Sequence, residues 1–247
     1  MIRLFLLLLS TFIISSCATT VNFSKSASKV KKSVLKLEVW MQIGQCSEET
    51  QTCVDWEMLA TGTGSVVLHG NKKVVLTAAH VCDVKSTSND IERLLIGEKQ
   101  IMMKAYDRLD RMYYVHILKT DVRKDICLMH FSDQKVDLPA LKMSVKKPEY
   151  GEKVFAIGAP TGLLVGDMAP IYEGMSFGEL DGRHFYGIPT IGGLSGSAIL
   201  NRRGELVGMI HSVHFRFHHI SLSASYKDLW NFLKIERSLM IKKPLNH

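Results

Sequence analysis

Short runs of apolar residues, separated by turn-forming residues, dominate the middle of the 247-residue chain. Several runs have the length and the β-branched or aromatic content that favour strands. Examples are Val34–Met41, Gly64–Leu68, Val74–Thr77, Tyr113–Leu118, Ile126–Phe131, Val154–Ile157, Ala198–Leu200 and Leu206–Ile210. Turn signals such as His69-Gly70-Asn71 lie between them. This spacing predicts a sandwich or barrels rather than alternating strands and helices.

One helix is predicted near the end of the chain. Tyr226, Leu229, Trp230 and Leu233 recur at helical spacing, and Ser225 precedes them. A serine at that position can accept a hydrogen bond from the first turn, so Ser225 is the predicted N-cap.

The N-terminus has the pattern of an export signal. Arg3 precedes an almost unbroken apolar run, Leu4–Ile14, which is too short to span a bilayer. The run ends in Ile14-Ser15-Ser16-Cys17, which resembles the bacterial lipoprotein signal. That resemblance implies cleavage before Cys17 and acylation of its thiol. The alternative is cleavage near Ser16 or Ala18 without a lipid, and both readings predict export.

Composition and charge exclude some classes of protein. With 46% hydrophobic and 22% charged residues, the chain is neither disordered nor collagen-like. The net charge of +7 is spread along the sequence. Because no dense Lys/Arg run with interleaved aromatic residues occurs, no nucleic-acid partner is expected.

Three segments carry candidate chemistry. Val75–His80 is a β run ending in small residues and a histidine, and Asp125–Met129 opens with an aspartate before a buried strand. Gly192–Ala198 places Ser195 in a glycine loop. Serine is a weak nucleophile that needs a neighbouring base, and that base needs an acid to hold its tautomer. The order His, Asp, Ser therefore favours acyl transfer.

These segments resemble the motifs of the trypsin-like, chymotrypsin-fold serine peptidases. Thr77–His80 resembles the family's His motif, Asp125–Leu128 its Asp motif and Gly193–Ala198 its Ser motif. Three further segments fit the same family in the same order: Thr61–Val67, Phe155–Gly162 and Asn201–Gly208. The resemblance covers residues 33–237. The pattern is closest to the bacterial high-temperature-requirement type, without an appended peptide-binding domain.

The resemblance implies an all-β fold of two six-stranded antiparallel β-barrels, with the active site in the cleft between them and a C-terminal helix. The expected division is a signal peptide at 1–16, a polar tether at 17–32, a first barrel at 33–138, and a second barrel with the helix at 139–247. A polar stretch near 133–150 is expected to link the two halves.

The resemblance also implies roles for individual residues. Ser195 attacks the scissile carbonyl, His80 moves the proton, and Asp125 orients His80. The backbone N–H groups of Gly193 and Ser195 form the oxyanion hole. The activity is that of a serine endopeptidase on polypeptide substrates, with no cofactor and no metal.

Two other residues could take the roles of the acid and the nucleophile, but each lacks part of the expected motif. Asp121 is a rival acid, but no buried strand follows it directly. Ser197 is a rival nucleophile, but it lacks a preceding Gly-x pair. The nucleophile-elbow motif of the α/β-hydrolases, Gly-x-Ser-x-Gly, does not match this loop because residue 197 is serine.

The expected specificity pocket is formed by the residues before the nucleophile and by a strand after it. The candidates are Pro189, Thr190, Ile210, His211 and Ser212. Pro189 stands where a carboxylate would mark Arg/Lys specificity, so small or apolar side chains are favoured. His211 could instead read an acidic side chain.

The five cysteines divide between the anchor and two candidate bridges. If Cys17 is acylated, four remain in a compartment that permits disulfides. Cys46 and Cys53 bracket a polar loop. Cys82 and Cys127 each lie two residues after a proposed triad residue, so they approach each other if His80 and Asp125 touch. Four cysteines allow three pairings, which the sequence leaves open.

The sequence also offers a metal site and a second function as alternatives. His211, His214, His218 and His219 cluster in sequence, but no Cys or acid at ligand spacing supports a metal site. The alternative function is a catalytically silent fold that binds peptides in its cleft. For either function the predicted location is the cell envelope, held to the membrane by the lipid, or secreted if no lipid is added.

Overall fold

The computed structural model describes residues 23–43, 55–83, 101–133, 135–166 and 168–234. These residues form mostly β structure with three helices and two 3₁₀ turns. The helices are α1 (Phe23–Val30), α2 (Ala79–Cys82) and α3 (Tyr226–Leu233), and the 3₁₀ turns are Lys31–Ser33 and Pro160–Gly162. None of the helices in these ranges is long and apolar enough to cross a membrane.

The first half of the chain closes into the predicted six-stranded antiparallel barrel. Its strands are β1 (Val34–Ile43), β2 (Asp55–His69), β3 (Lys72–Thr77), β4 (Ile101–Tyr106), β5 (Met112–Asp121) and β6 (Ile126–Phe131). Their order around the barrel is β1-β2-β3-β6-β5-β4. Strand β1 closes it by pairing with both β2 and β4. Along β1, Leu35, Leu37, Val39 and Met41 are all buried, as expected for alternate residues that face a barrel interior.

The second half forms an open seven-stranded sheet, which corrects the prediction of a second six-stranded barrel. Its strands are β7 (Lys153–Ile157), β8 (Ile171–Leu180), β9 (Arg183–Tyr186), β10 (Ala198–Asn201), β11 (Leu206–Met209), β12 (Ser212–His214) and β13 (Phe217–Ala224). Their order is β11-β10-β7-β8-β9-β13-β12, so β11 and β12 are the edges.

The sheet stays open because its edge strands are separated by a break at Ile210 and His211. The N–H of Ile210 donates to the carbonyl of Ser197 at 2.8 Å, and its carbonyl accepts from the N–H of Gly196 at 2.6 Å. These bonds attach Ile210 to the Ser195 loop. His211 instead donates its N–H to the carbonyl of Leu222 in β13 at 3.0 Å.

The described part of the predicted tether is folded, which corrects that prediction from residue 23 onwards. Helix α1 places Phe23, Ala27 and Val30 on one face, at spacings of four and three residues. Ala27 and Val30 are buried, and the ring of Phe23 packs edge-on against Phe155 at 4.9 Å. Because small and polar residues separate Phe23, Ala27 and Val30, this apolar face is difficult to recognise in the sequence.

The link between the halves hydrogen-bonds to both of them. The N–H of Leu141 donates to the carbonyl of Val66 in the first barrel at 2.8 Å. One residue later, the carbonyl of Lys142 accepts from the N–H of Leu206 in the second sheet at 2.8 Å. The predicted linking segment is therefore attached to both halves by backbone hydrogen bonds.

Helix α3 confirms the predicted C-terminal helix and its cap. The Ser225 hydroxyl accepts a hydrogen bond from the N–H of Asp228 at 3.0 Å. The helix buries Leu229, Phe232 and Leu233. Asp228 also pairs with Lys124 at 2.8 Å, which ties the helix to the loop before β6.

Cys82 and Cys127 form a disulfide that joins α2 to β6. This confirms one of the two candidate bridges, whereas Cys17, Cys46 and Cys53 lie outside the described residues. The bridge closes a loop with a sequence separation of 45, and such a cross-link stabilises mainly by restricting the unfolded chain.

Replacing both of these cysteines by alanine is expected to lower the free energy of unfolding by about 3 kcal/mol. Urea unfolding followed by circular dichroism measures the change. The Cys46→Ala/Cys53→Ala variant is the matched comparison for the other predicted bridge. If the Cys82/Cys127 variant were as stable as the wild type, the disulfide would make no contribution to the free energy of unfolding.

A second stability effect comes from His184, which is buried in β9. Its Nε2 is 2.8 Å from the Ser176 hydroxyl, and its ring stacks on Tyr186 with centroids 4.4 Å apart. Its Nδ1 has no hydrogen-bond partner within the described residues. Burial, with a smaller effect from Lys147, lowers the pKa of His184 from 6.5 to about 4.

The wild type is therefore expected to lose stability as pH falls from 6.5 towards 4, because the unfolded chain takes up this proton first. The loss due to His184 is at most about 3 kcal/mol. His184→Phe, which preserves the stacking, should remove that part of the pH dependence. Urea unfolding at a series of pH values measures it, with His219→Phe as the exposed control. An unchanged pH dependence in His184→Phe would contradict the assignment.

Candidate active site

His80 is presented by the one-turn helix α2 at the end of the buried strand β3. Ala79, Val81 and Cys82 in the same helix are buried, whereas the His80 side chain is 40% exposed. Burial of its three neighbours thus fixes the helix and turns the imidazole outward.

Asp125 binds His80 at two points. Its Oδ2 lies 2.7 Å from His80 Nδ1, and its Oδ1 accepts the backbone N–H of His80 at 2.9 Å. Asp125 adopts a φ of 53°, which aspartate tolerates better than most residues. This backbone conformation ends the turn from Val122 and starts β6 with the carboxylate facing α2.

The ionised form of Asp125 is favoured. Burial opposes ionisation, but hydrogen bonds from the His80 side chain and backbone, together with the electrostatic effect of His80 and His211, outweigh it. These contacts hold the pKa of Asp125 below its usual range. An ionised carboxylate on Nδ1 fixes the imidazole so that Nε2 is the nitrogen left to exchange a proton.

Asp121, the rival acid, has a structural contact instead. Its Oδ1 accepts the backbone N–H of Lys124 at 3.2 Å, within the turn that leads to Asp125. Asp121 therefore shapes the loop that carries Asp125.

The Ser195 loop consists of two consecutive tight turns. The N–H of Leu194 donates to the carbonyl of Ile191, and the N–H of Ser197 donates to that of Leu194. The third residue of each turn is a glycine with positive φ, 89° at Gly193 and 90° at Gly196. A side chain there would be strained, and a Cβ on either glycine would also overlap neighbouring atoms.

The backbone N–H groups of Gly193 and Ser195 donate to no acceptor within the described residues. Ser195 is partly exposed, so these donors are on an accessible loop. Two unpaired N–H groups, one on each side of Leu194, are the arrangement that an oxyanion hole requires.

Thr63 joins the Ser195 loop to the first barrel, a role that sequence reasoning missed. Its N–H donates to the carbonyl of Ser195 at 2.8 Å, and its hydroxyl donates to the carbonyl of Gly193 at 2.7 Å. The same hydroxyl accepts the N–H of Ala159 at 2.9 Å. The available signal was the pair of glycines, Gly62 and Gly64, on either side of it.

Gly62 lies where the two halves meet. A Cβ on Gly62 would lie 2.6 Å from Val81 Cγ1 and 3.3 Å from the Ser195 carbonyl oxygen. The residue after His80 and the backbone of Ser195 therefore approach the same point. No hydrogen bond joins the Ser195 hydroxyl to His80 in the described structure, and in ligand-free sites such bonds often form only with substrate.

Ser197, the rival nucleophile, is fully buried. A Cβ on Gly158 would overlap its hydroxyl oxygen, so backbone closely covers that side chain. A substrate carbonyl would have no access to it.

The predicted specificity residues fall into different environments. Pro189 is exposed, and the Thr190 hydroxyl lies 2.5 Å from that of Ser221, which donates to the carbonyl of Ile188 at 2.6 Å. Ile210 is buried and bonded to the Ser195 loop, and Ser212 begins the edge strand β12.

His211, one of the predicted residues of the pocket wall, lies beside Asp125. Its Nδ1 lies 3.7 Å from Asp125 Oδ2, and only 10% of its side chain is exposed. The break between β11 and β12 turns it towards the carboxylate, and the sequence contains no signal for that break.

The remaining histidines of the predicted cluster lie on the hairpin of β12 and β13. His214 stacks on Phe215 and Phe217, and His218 and His219 are exposed. No group of three or more metal-ligating side chains occurs among the residues that the structure describes.

Comparison with known proteins agrees with this geometry. The model of the trypsin-like peptidase domain matches residues 62–209, a span that includes His80, Asp125 and Ser195. No curated protein matches the chain. The matched span covers more than half of the sequence and both halves of the fold, so the chain belongs to the trypsin-like peptidase domain family.

Proposed function

We propose that this protein is an exported serine endopeptidase in which Ser195, His80 and Asp125 act as a catalytic triad. The observation that carries the proposal is the two-point contact of Asp125 with His80, at 2.7 and 2.9 Å, in the barrel to which the Ser195 loop is bonded. A carboxylate that only stabilised the fold would not need to orient a half-exposed imidazole.

In the first half of the reaction, Ser195 Oγ attacks the scissile carbonyl carbon and its proton passes to His80 Nε2. The tetrahedral intermediate collapses when the C–N bond breaks, and His80 returns the proton to the leaving amine. The products are an ester on Ser195 and a free amine.

In the second half, water attacks the ester and His80 takes one of its protons. Collapse of the second intermediate releases the carboxylic acid and restores the Ser195 hydroxyl. Asp125 stays ionised throughout and stabilises the imidazolium that forms twice. The N–H groups of Gly193 and Ser195 would bind the carbonyl oxygen as it becomes negative.

Export and the family subtype are parts of the proposal that rest on the sequence. The apolar run Leu4–Ile14 followed by Cys17 supports secretion with a lipid anchor in the cell envelope. The Cys82–Cys127 disulfide supports an oxidising compartment. The spacing of the motifs supports the high-temperature-requirement type as the nearest pattern, and polypeptides are the proposed substrates.

A fluorophosphonate probe tests the nucleophile. The wild type should be labelled and should hydrolyse an unfolded protein substrate, whereas Ser195→Ala should lose the label. Its kcat/KM should fall by roughly 10⁴-fold or more. Ser197→Ala is the matched control and should stay labelled.

Equal labelling of wild type and Ser195→Ala, or loss of label only in Ser197→Ala, would contradict the assignment. A wild type that binds peptides but is neither labelled nor hydrolytic would favour the silent peptide-binding fold.

A further inference from the structure

His211 holds a fixed position beside the proposed triad. Its backbone follows Ile210, which is bonded to Gly196 and Ser197 in the nucleophile loop, and its own N–H is bonded to Leu222 at 3.0 Å. Its side chain is 10% exposed. The imidazole is therefore held by both the Ser195 loop and β13 and has little freedom to turn into solvent.

His211 and His80 face the same oxygen atom. Asp125 Oδ2 lies 2.7 Å from His80 Nδ1 and 3.7 Å from His211 Nδ1. The other oxygen, Oδ1, accepts the backbone N–H of His80. Oδ2 of this carboxylate thus faces two imidazoles: His80 lies within hydrogen-bonding distance, and His211 lies about 1 Å further from the oxygen than His80 does.

The charged groups around His211 come from three elements. Burial has the largest effect and lowers the pKa of His211; Asp125 at the start of β6 opposes this effect. Arg183 in β9 and His80 in α2 lower the pKa further. The neutral form of His211 is therefore favoured near neutral pH, where its ring can direct an N–H dipole towards Asp125.

We propose that His211 is a positioning residue. Its neutral form supports Asp125, and its protonation in acid inactivates the enzyme in addition to the protonation of His80. The proposal rests on the proposed function, since it concerns the same triad. His211 touches no reacting atom.

The physical reason is competition for one carboxylate. During catalysis His80 becomes an imidazolium, and Asp125 must stabilise that charge. If His211 is already an imidazolium, it competes with His80 for Oδ2 and places a second positive charge beside His80. Protonation of His211 thus weakens the stabilisation of the transition state, in addition to the loss caused by protonation of His80 itself.

The dependence of kcat/KM on pH tests this proposal. In the wild type, the plot of log kcat/KM should steepen to a slope of about 2 as pH falls, since two protons inactivate the enzyme. His211→Gln retains an N–H donor but cannot titrate, so its slope should stay near 1, and its kcat at neutral pH should fall by less than that of a variant without a donor. The measurements are made where circular dichroism shows folded protein.

Two further variants separate positioning from simple loss of structure. His211→Leu lacks the donor, so kcat at neutral pH should fall by about 10-fold with KM unchanged, and its slope should also stay near 1. His214→Gln, three residues away on the hairpin, should retain the wild-type slope. If either His211 variant does not fold, the other still gives the slope.

A slope of about 1 in an active wild type, matched by His211→Gln, would overturn this inference and leave the proposed function intact. A slope of 2 retained in His211→Gln would also overturn it, since the second proton would then belong to another group. A wild type without Ser195-dependent hydrolysis would overturn the proposed function, and the inference with it.

Discussion

The contact between Asp125 and His80 is the constraint on which the site depends. It joins a one-turn helix to the start of a barrel strand, and a helix of that length has little stability of its own. Two residues beyond each partner, the Cys82–Cys127 disulfide joins the same two elements covalently. The salt bridge from Lys124 to Asp228 then fixes the loop of Asp125 against α3. Core packing, covalent cross-link and proposed chemistry thus converge on one junction.

The second half of the fold is placed relative to this junction by close backbone approaches. Thr63 bonds to the Ser195 loop through both its backbone and its hydroxyl, and Gly62 leaves room for Val81 beside it. Gly196 packs on the Thr63 backbone so closely that any side chain there would overlap it. The nucleophile loop is therefore bonded to the barrel that carries the imidazole. Ile210 is hydrogen-bonded to the same loop, and the next residue, His211, lies 3.7 Å from Asp125 through its Nδ1.

The sequence predicted the elements whose local pattern agrees with their final surroundings. The apolar strands of the first barrel, the capped helix after Ser225 and the Cys82–Cys127 bridge are examples. Strands β8 and β13 lack such a pattern: β8 contains two glycines, and β13 buries serines, such as Ser221 and Ser223, at positions where apolar residues are expected. The open second sheet and the place of His211 follow from hydrogen bonds between residues distant in sequence, which periodicity does not encode.

The most direct test of the account is the hydrolysis of an unfolded protein substrate by Asp125→Asn at neutral pH. Asparagine preserves the size of the side chain but removes the charge that orients His80 and stabilises its imidazolium. We expect kcat/KM to fall by roughly 10⁴-fold while the circular dichroism spectrum is unchanged. Activity within about 10-fold of wild type would show that the Asp125–His80 contact serves the fold alone, and would contradict the central claim.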